Sequence, residues 1–325
     1  MDVALPEVAE QFALSVRRAV VALGGVELAR RAEADPDLRA GPLKAAFDAL
    51  GVGDLDPLAD LESAAMAAEL VRICGRYVVP FPIVGYVMAD PENGVPKALA
   101  SSPPLRVDHG DLFARWALYD FSGQRTEAAP AGRPLASRLG PFITALTPTG
   151  PRTPTGPRED SAAVEVALLC TLWASYLLGV AEHALELAVA HVKGRVQFGR
   201  PLADLQSVRF AIADATVAVD GLRELVHFTT WRVGSAGPGA LADALAARLA
   251  AQDVSQPTLR LAQQLHGAAG LADEYDISVL VRHFQPALRL PVDSDAMSDI
   301  VFDALRTHGF STLFPLHATE GGPRE

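Results

Sequence analysis

The chain has 325 residues, enough for two or three domains around a sizeable buried core. Half of the residues are hydrophobic and only 6% are aromatic, which excludes a disordered chain and favours closely packed, alanine-rich helices over a β-sandwich. A net charge of −11 excludes a basic nucleic-acid footprint, although it leaves room for a local cationic pocket.

From Met1 to Lys97 the pattern is helical. Phe12, Val16, Val20, Leu23 and Leu28 recur at helical spacing within 7–34. A second helix is predicted over 42–50, stopped by Gly51 and Gly53, and a third over 60–77. The opening residues Met1–Glu10 carry Asp2, Glu7 and Glu10 and no basic region ahead of an apolar core. No secretory signal is read there, and the cytoplasm is the expected location. Cys74 and Cys170 lie in apolar helical surroundings and read as buried free thiols.

Residues 98–157 differ. Nine prolines between Pro103 and Pro157 rule out long helices, and about 60 residues suffice for a small sheet or a loop-rich patch. Strand candidates are 112–119 and 141–146. The run TPTGPRTPTGPR over 147–158 reads as a linker.

Residues 158–325 are predicted as long helices over about 160–196, 202–233, 240–266, 274–290 and 295–306. Short connections between the long ones argue an antiparallel bundle. The uncharged stretch Val166–Ala181, bounded by Glu165 and Glu182, is shorter than the roughly 20 residues needed to span a bilayer. It reads as a helix enclosed by neighbours, and no membrane span is expected.

Two segments of this last block carry chemistry. Arg195–Val196–Gln197–Phe198–Gly199–Arg200–Pro201 follows the first long helix, with Gln206 and Ala213–Asp214 beyond it. Arginine offers a cationic fork suited to a pyrophosphate, Gln197 a donor to phosphate or ribose, and Phe198 a flat face for an adenine. The second segment, Ala262–Arg282, holds Gln264, Gly267 and Ala268, where backbone amides can approach a phosphate at a helix end. Taken alone, each of these has a plainer reading, as a surface charge or a helix stop.

In order and together, the two segments resemble the carboxyl-terminal domain of acyl-CoA dehydrogenases. The resemblance is clear over 159–290, extends to 1–97 and fades between. It implies a mainly α fold: a helical amino-terminal domain (1–97), a reduced middle β segment with a linker (98–157), and a carboxyl-terminal four-helix bundle (158–325). It also implies FAD shared at a subunit interface. Arg195, Gln197, Phe198, Gln264, Gly267 and Ala268 would hold the adenosine diphosphate half of a flavin whose ring sits in a neighbour.

Three departures follow. The family's Gly-Gly is Gly267–Ala268 here, so a methyl group is expected to crowd the phosphate. The middle block shows no flavin-covering motif. The carboxylate that removes the α proton of an acyl thioester is missing: nine residues past Arg282 stands Pro291, and thirty before Gly199 stands Leu169. Two substitutes are open. Glu165 lies one turn before Leu169, and its plainer role is to favour a helix start. Asp293 lies two residues past Pro291, and its plainer role is a helix cap. His183 and His191 share a helix face without further ligands, so no metal site is expected. His266 and His283 read as partly buried histidines, and Trp116, Trp173 and Trp231 as packing residues.

The resemblance therefore implies a subunit of a heteromeric acyl-CoA dehydrogenase. A longer partner would supply the carboxylate, an electron-acceptor flavoprotein would reoxidise the flavin, and a steroid side-chain thioester is one candidate substrate. The alternatives are a homomer of the same fold with other chemistry (flavin monooxygenase, or thioester hydratase or lyase) and a non-catalytic scaffold.

Overall fold

The computed structural model describes residues 5–101, 103–154, 159–197, 199–235 and 239–308. Its opening helix, expected to be continuous, breaks into α1 (Glu7–Ala22) and α2 (Val26–Ala34). The cause is local: Gly24 and Gly25 take φ of 117° and 57°, a left-handed region open mainly to glycine. α3 (Gly41–Ala49) and α4 (Leu61–Arg76) fall where the periodicity puts them. α4 is started by Asp60, whose side chain accepts a 2.7 Å hydrogen bond from the Ser63 amide. The short α5 (Ile83–Val87) follows Pro80 and Pro82.

The proline-rich stretch forms more sheet than the sequence suggested. Its strands are β1 (Lys97–Leu99), β2 (Arg106–Asp108), β3 (Trp116–Tyr119), β4 (Gln124–Pro130), β5 (Leu135–Ser137), β6 (Gly140–Pro148) and β7 (Thr153–Pro154). They make one sheet in the order β1-β3-β4-β6-β2, with β5 against β6 and β7 against β4. Only β1–β3 is parallel. Pro130 and Pro148 close their strands, where a missing amide costs little. The two predicted strands correspond to β3 and β6; the others are too short to show a period.

α6 (Glu159–Gly194) is the axis of the fold, lying against α4, α7 (Gln206–Gly234) and α8 (Ala240–His266). By length and composition alone it could cross a membrane, but 78% of its most apolar window is buried by neighbouring elements. Two glycines allow α4 to cross it closely. A methyl at Gly179 would strike the Arg72 carbonyl, and one at Gly75 the Tyr176 carbonyl. Beside that crossing, Arg72 bridges Glu69 and Glu182 at 2.6 Å each, and Arg223 reaches Glu182 at 3.0 Å, tying α4, α6 and α7.

Between α6 and α7 runs a two-stranded hairpin, β8 (Val196–Gln197) and β9 (Arg200–Pro201), turning at Gly199 with φ 76°. The helix expected over 274–290 is divided into α9 (Asp276–His283) and α10 (Gln285–Arg289), because Pro286 stands in the first turn of the second piece. α11 (Ser294–His308) ends the described chain.

Candidate functional site

Two regions contain the residues singled out from the sequence. The first is the end of the bundle where α6 and α8 both finish. His191, in the last turn of α6, stacks on His266, the last residue of α8, with ring centroids 4.2 Å apart. Burial and then the neighbouring His266 hold His191 below the usual imidazole range. One turn past His191, Arg195 is exposed at the start of the hairpin, and Gln197 is exposed on β8. Phe198 lies outside the described residues.

Gly267 caps α8 at φ 61° and ψ −136°, a conformation that needs glycine, and nothing lies within 4 Å of where its Cβ would be. Ala268 is exposed in the following short 3₁₀ turn, Gly267–Leu271. Gln264 and Gly267, with Arg260, Gln263 and Leu271, line an open concavity of about 430 Å³. Arg260 was not singled out from the sequence. It stands one helical turn before Gln264, a spacing that could have revealed it.

The second region is a narrow cleft between the amino-terminal helices, the sheet and α9–α10. Phe81, Ile83, Trp116, Trp173, Leu290 and Pro291 give it apolar walls. It offers about 40 Å³ to water-sized molecules, room for roughly three waters at about 10–15 Å³ each. Pro291 on its wall is tethered to Ser101, whose Oγ donates to the Pro291 carbonyl at 3.1 Å. The loop carrying Pro291 is fixed from behind: the buried Arg248 donates to the Ala287 and Leu290 carbonyls, and Gln252 to those of Leu288 and Val292.

One carboxyl group does line this cleft, and the sequence reading missed it. Asp108 ends β2, and burial pushes its pKa up to about 8. Next to it His109 is buried and held well below the imidazole range, first by desolvation and then by Arg39. Arg39 is itself paired with Asp111 at 2.6 and 3.0 Å. His283 lines the cleft too, with Nε2 2.8 Å from Glu33. No spacing signal announces Asp108, because its burial depends on the sheet order.

The two substitute bases lie elsewhere. Glu165 pairs with Lys97 at 3.2 Å and hydrogen-bonds Tyr119. Asp293 is exposed and accepts from the Ala296 amide at 3.2 Å, capping α11. Leu169 is fully buried. His183 stands beside Tyr77 and Glu186. Among the described residues no group of three or more His, Cys, Asp or Glu is placed to hold a metal.

A long helical bundle, a small sheet against it and a nucleotide-type motif at the bundle's end define an acyl-CoA dehydrogenase-like protein. Residues 171–288 match the family described as acyl-CoA dehydrogenase, C-terminal domain. The chain is 36% identical over 114 residues to the short-chain-specific acyl-CoA dehydrogenase of Megasphaera elsdenii, covering 35% of this chain and 29% of that protein. It is 27% identical over 241 residues to the acyl-CoA dehydrogenase IpdE2 of Mycolicibacterium smegmatis, covering 74% and 65%. Both matches span less than two thirds of the relative's length.

Among solved structures it is similar to the ChsE4-ChsE5 complex from Mycobacterium tuberculosis, with TM-score 0.73, 18% identity, and 97% and 99% of the two chains covered. It is also similar to the Tcur3481-Tcur3483 steroid ACAD, with TM-score 0.74, 18% identity, and 94% and 99% covered. At that identity the structural likeness establishes the fold. The family match is carried by residues 171–288, and over the rest of the chain the likeness is one of fold.

That family uses FAD, and the two regions answer differently to it. The bundle end fits a nucleotide: an exposed Arg195, the Gln264 side chain and an open glycine at the head of a concavity. The cleft is narrower, with apolar walls from Phe81, Trp116, Trp173 and Pro291.

Proposed function

We propose that this chain is one subunit of a heteromeric, flavin-dependent acyl-CoA dehydrogenase. It would grip the adenosine diphosphate half of FAD through Arg195, Gln197, Gln264 and the 267–268 turn. A longer partner would hold the flavin ring and supply the carboxylate that takes the α proton. When bound, the flavin accepts the hydride from the β carbon.

The carrying observation is the contrast between the two regions. The nucleotide-type residues stand open at one end of the bundle, while the position that carries the family's base is Pro291, on the wall of the narrow cleft. Among the described residues, Asp108 is the one carboxyl group lining that cleft. Its pKa is raised to about 8 by burial, and it stands on β2, away from both positions at which the family's base is expected. The similar ChsE4-ChsE5 complex favours a heteromer, and the similar steroid ACAD favours a bulky steroid-type thioester as substrate. The fold likeness to a structure described as the electron transferring flavoprotein of Acidaminococcus fermentans favours a flavoprotein as electron acceptor.

Co-expression with a longer dehydrogenase encoded beside it, followed by flavin-to-chain stoichiometry, tests the reading. One flavin per pair of unlike chains is expected. Full flavin occupancy and turnover by this chain alone would end it. Within the complex, Arg195→Ala should lower flavin retention about tenfold or more, since a charge-assisted phosphate contact contributes roughly 1.5–3 kcal/mol. Unchanged retention would mean that Arg195 does not touch the nucleotide.

A further inference from the structure

The two halves of the nucleotide end come from different helices, and one side-chain pair joins them. Arg195 follows α6, and its amide donates to the His191 carbonyl at 2.9 Å, so the last turn of that helix carries it. Gly267 follows His266 at the end of α8. The His191 and His266 rings meet between these two ends, 4.2 Å apart and 28° from parallel.

His266 is held in place from several sides. A carbonyl oxygen only accepts, so the 2.7 Å contact between Nδ1 and the Ala262 carbonyl puts the ring proton on Nδ1. Tyr275 packs edge-on against the same ring, with centroids 6.3 Å apart and planes at 74°. The turn that follows is folded back onto α8. Gln263 Nε2 donates to the Gly270 carbonyl at 3.2 Å, and a methyl at Gly270 would stand 2.7 Å from the Gln263 carbonyl oxygen. The His266 ring and the 267–271 turn are therefore tied into one piece. On the α6 side, the Leu202 amide donates to the Arg195 carbonyl at 2.9 Å and closes the hairpin. The half-buried His191 ring is where the α6 piece meets the α8 piece.

We propose that the His191–His266 stack is the joint that holds Arg195 in register with the 267–268 turn, which makes both histidines positioning residues for a nucleoside diphosphate. The proposal rests on the reading of this end as an adenosine diphosphate site. Neither ring touches the ligand in this role. Two halves already in register lose less freedom on binding, so the stack contributes to affinity through pre-organisation.

ADP is titrated into the purified full chain and its variants, followed by amide NMR well below their melting temperatures. Arg195→Ala should bind ADP more weakly, as loss of a phosphate contact requires. His191→Ala and His191→Gln, both without the ring, should weaken ADP binding roughly three- to tenfold, the worth of one aromatic pair. His191→Phe keeps a flat ring and should restore the wild-type affinity. Far-ultraviolet circular dichroism checks that each variant is folded. If the ring-less variants bind ADP as the wild type does while Arg195→Ala does not, the joint is overturned and the nucleotide reading stands. A His191→Phe protein as weak as His191→Ala also overturns the joint. Absence of saturable ADP binding in the wild type, or undiminished binding in Arg195→Ala, overturns the nucleotide reading and the joint with it.

Discussion

At the residue scale, Asp108 links the site to stability. Its carboxyl keeps a proton up to about pH 8 in the fold, whereas an unfolded aspartate releases it near 3.8. Between those values the native state binds more protons than the unfolded chain, so stability falls as pH rises from about 4 to about 8 and levels off beyond. The slope approaches about 1.4 kcal/mol per pH unit at most. Asp108→Asn removes this dependence. Thermal melts of the two proteins should coincide near pH 4, and the variant should gain steadily up to pH 8. Parallel melting curves across that range would show that Asp108 titrates normally. This residue was invisible in the sequence because its partners lie 69 residues upstream, at Arg39, and across the sheet. Arg195 and Gln264 could be singled out from the sequence because each stands in a short local motif whose spacing is readable without the fold. Glu165 and Asp293 were read as open between two roles, and their partners in the structure are Lys97 and the start of α11.

Among the elements, glycine position decides what a methyl group does. At Gly179 it would enter the α4–α6 contact and strike backbone, which cannot yield as a side chain can. Gly179→Ala should destabilise the protein by about 3 kcal/mol or more, at the upper end of overpacking costs. Gly221 is also inside a helix, α7, but faces open space. Gly221→Ala should stabilise by about 0.5–1 kcal/mol through helix propensity alone. Urea unfolding of the two variants should move the midpoint in opposite directions, and a shift in the same direction would contradict the close crossing. Helix α8 was read at its observed limits because its periodicity is long and Gly267 ends it. The first helix was read too long because Gly24–Gly25 was judged by apolar spacing and not by backbone conformation. Most strands went unread because two to four residues carry no measurable alternation, and their pairing is set by partners distant in the chain.

For the molecule as a whole, the outer face of α7 bears on assembly. Phe210 and Val217 are 60% and 74% exposed and lie seven residues apart, two turns along one face. Scattered apolar residues on a surface need no explanation. These two, however, begin just after the hairpin that carries Arg195, and Val196 and Leu271 are exposed beside the same bundle end, at 59% and 75%. A surface that must meet the partner's flavin would be apolar around its charged contacts, as interface centres are. Aspartate at both positions, Phe210→Asp with Val217→Asp, places two charges where a partner would desolvate them. Each position is exposed in the single chain, so the fold should change by no more than about 0.5 kcal/mol per site. The complex is expected to dissociate to single chains in light scattering and to lose its flavin in the same fractions, with far-ultraviolet circular dichroism unchanged. A complex of undiminished mass would place the partner on another face, and would separate the nucleotide end from the interface that the proposed function requires it to share.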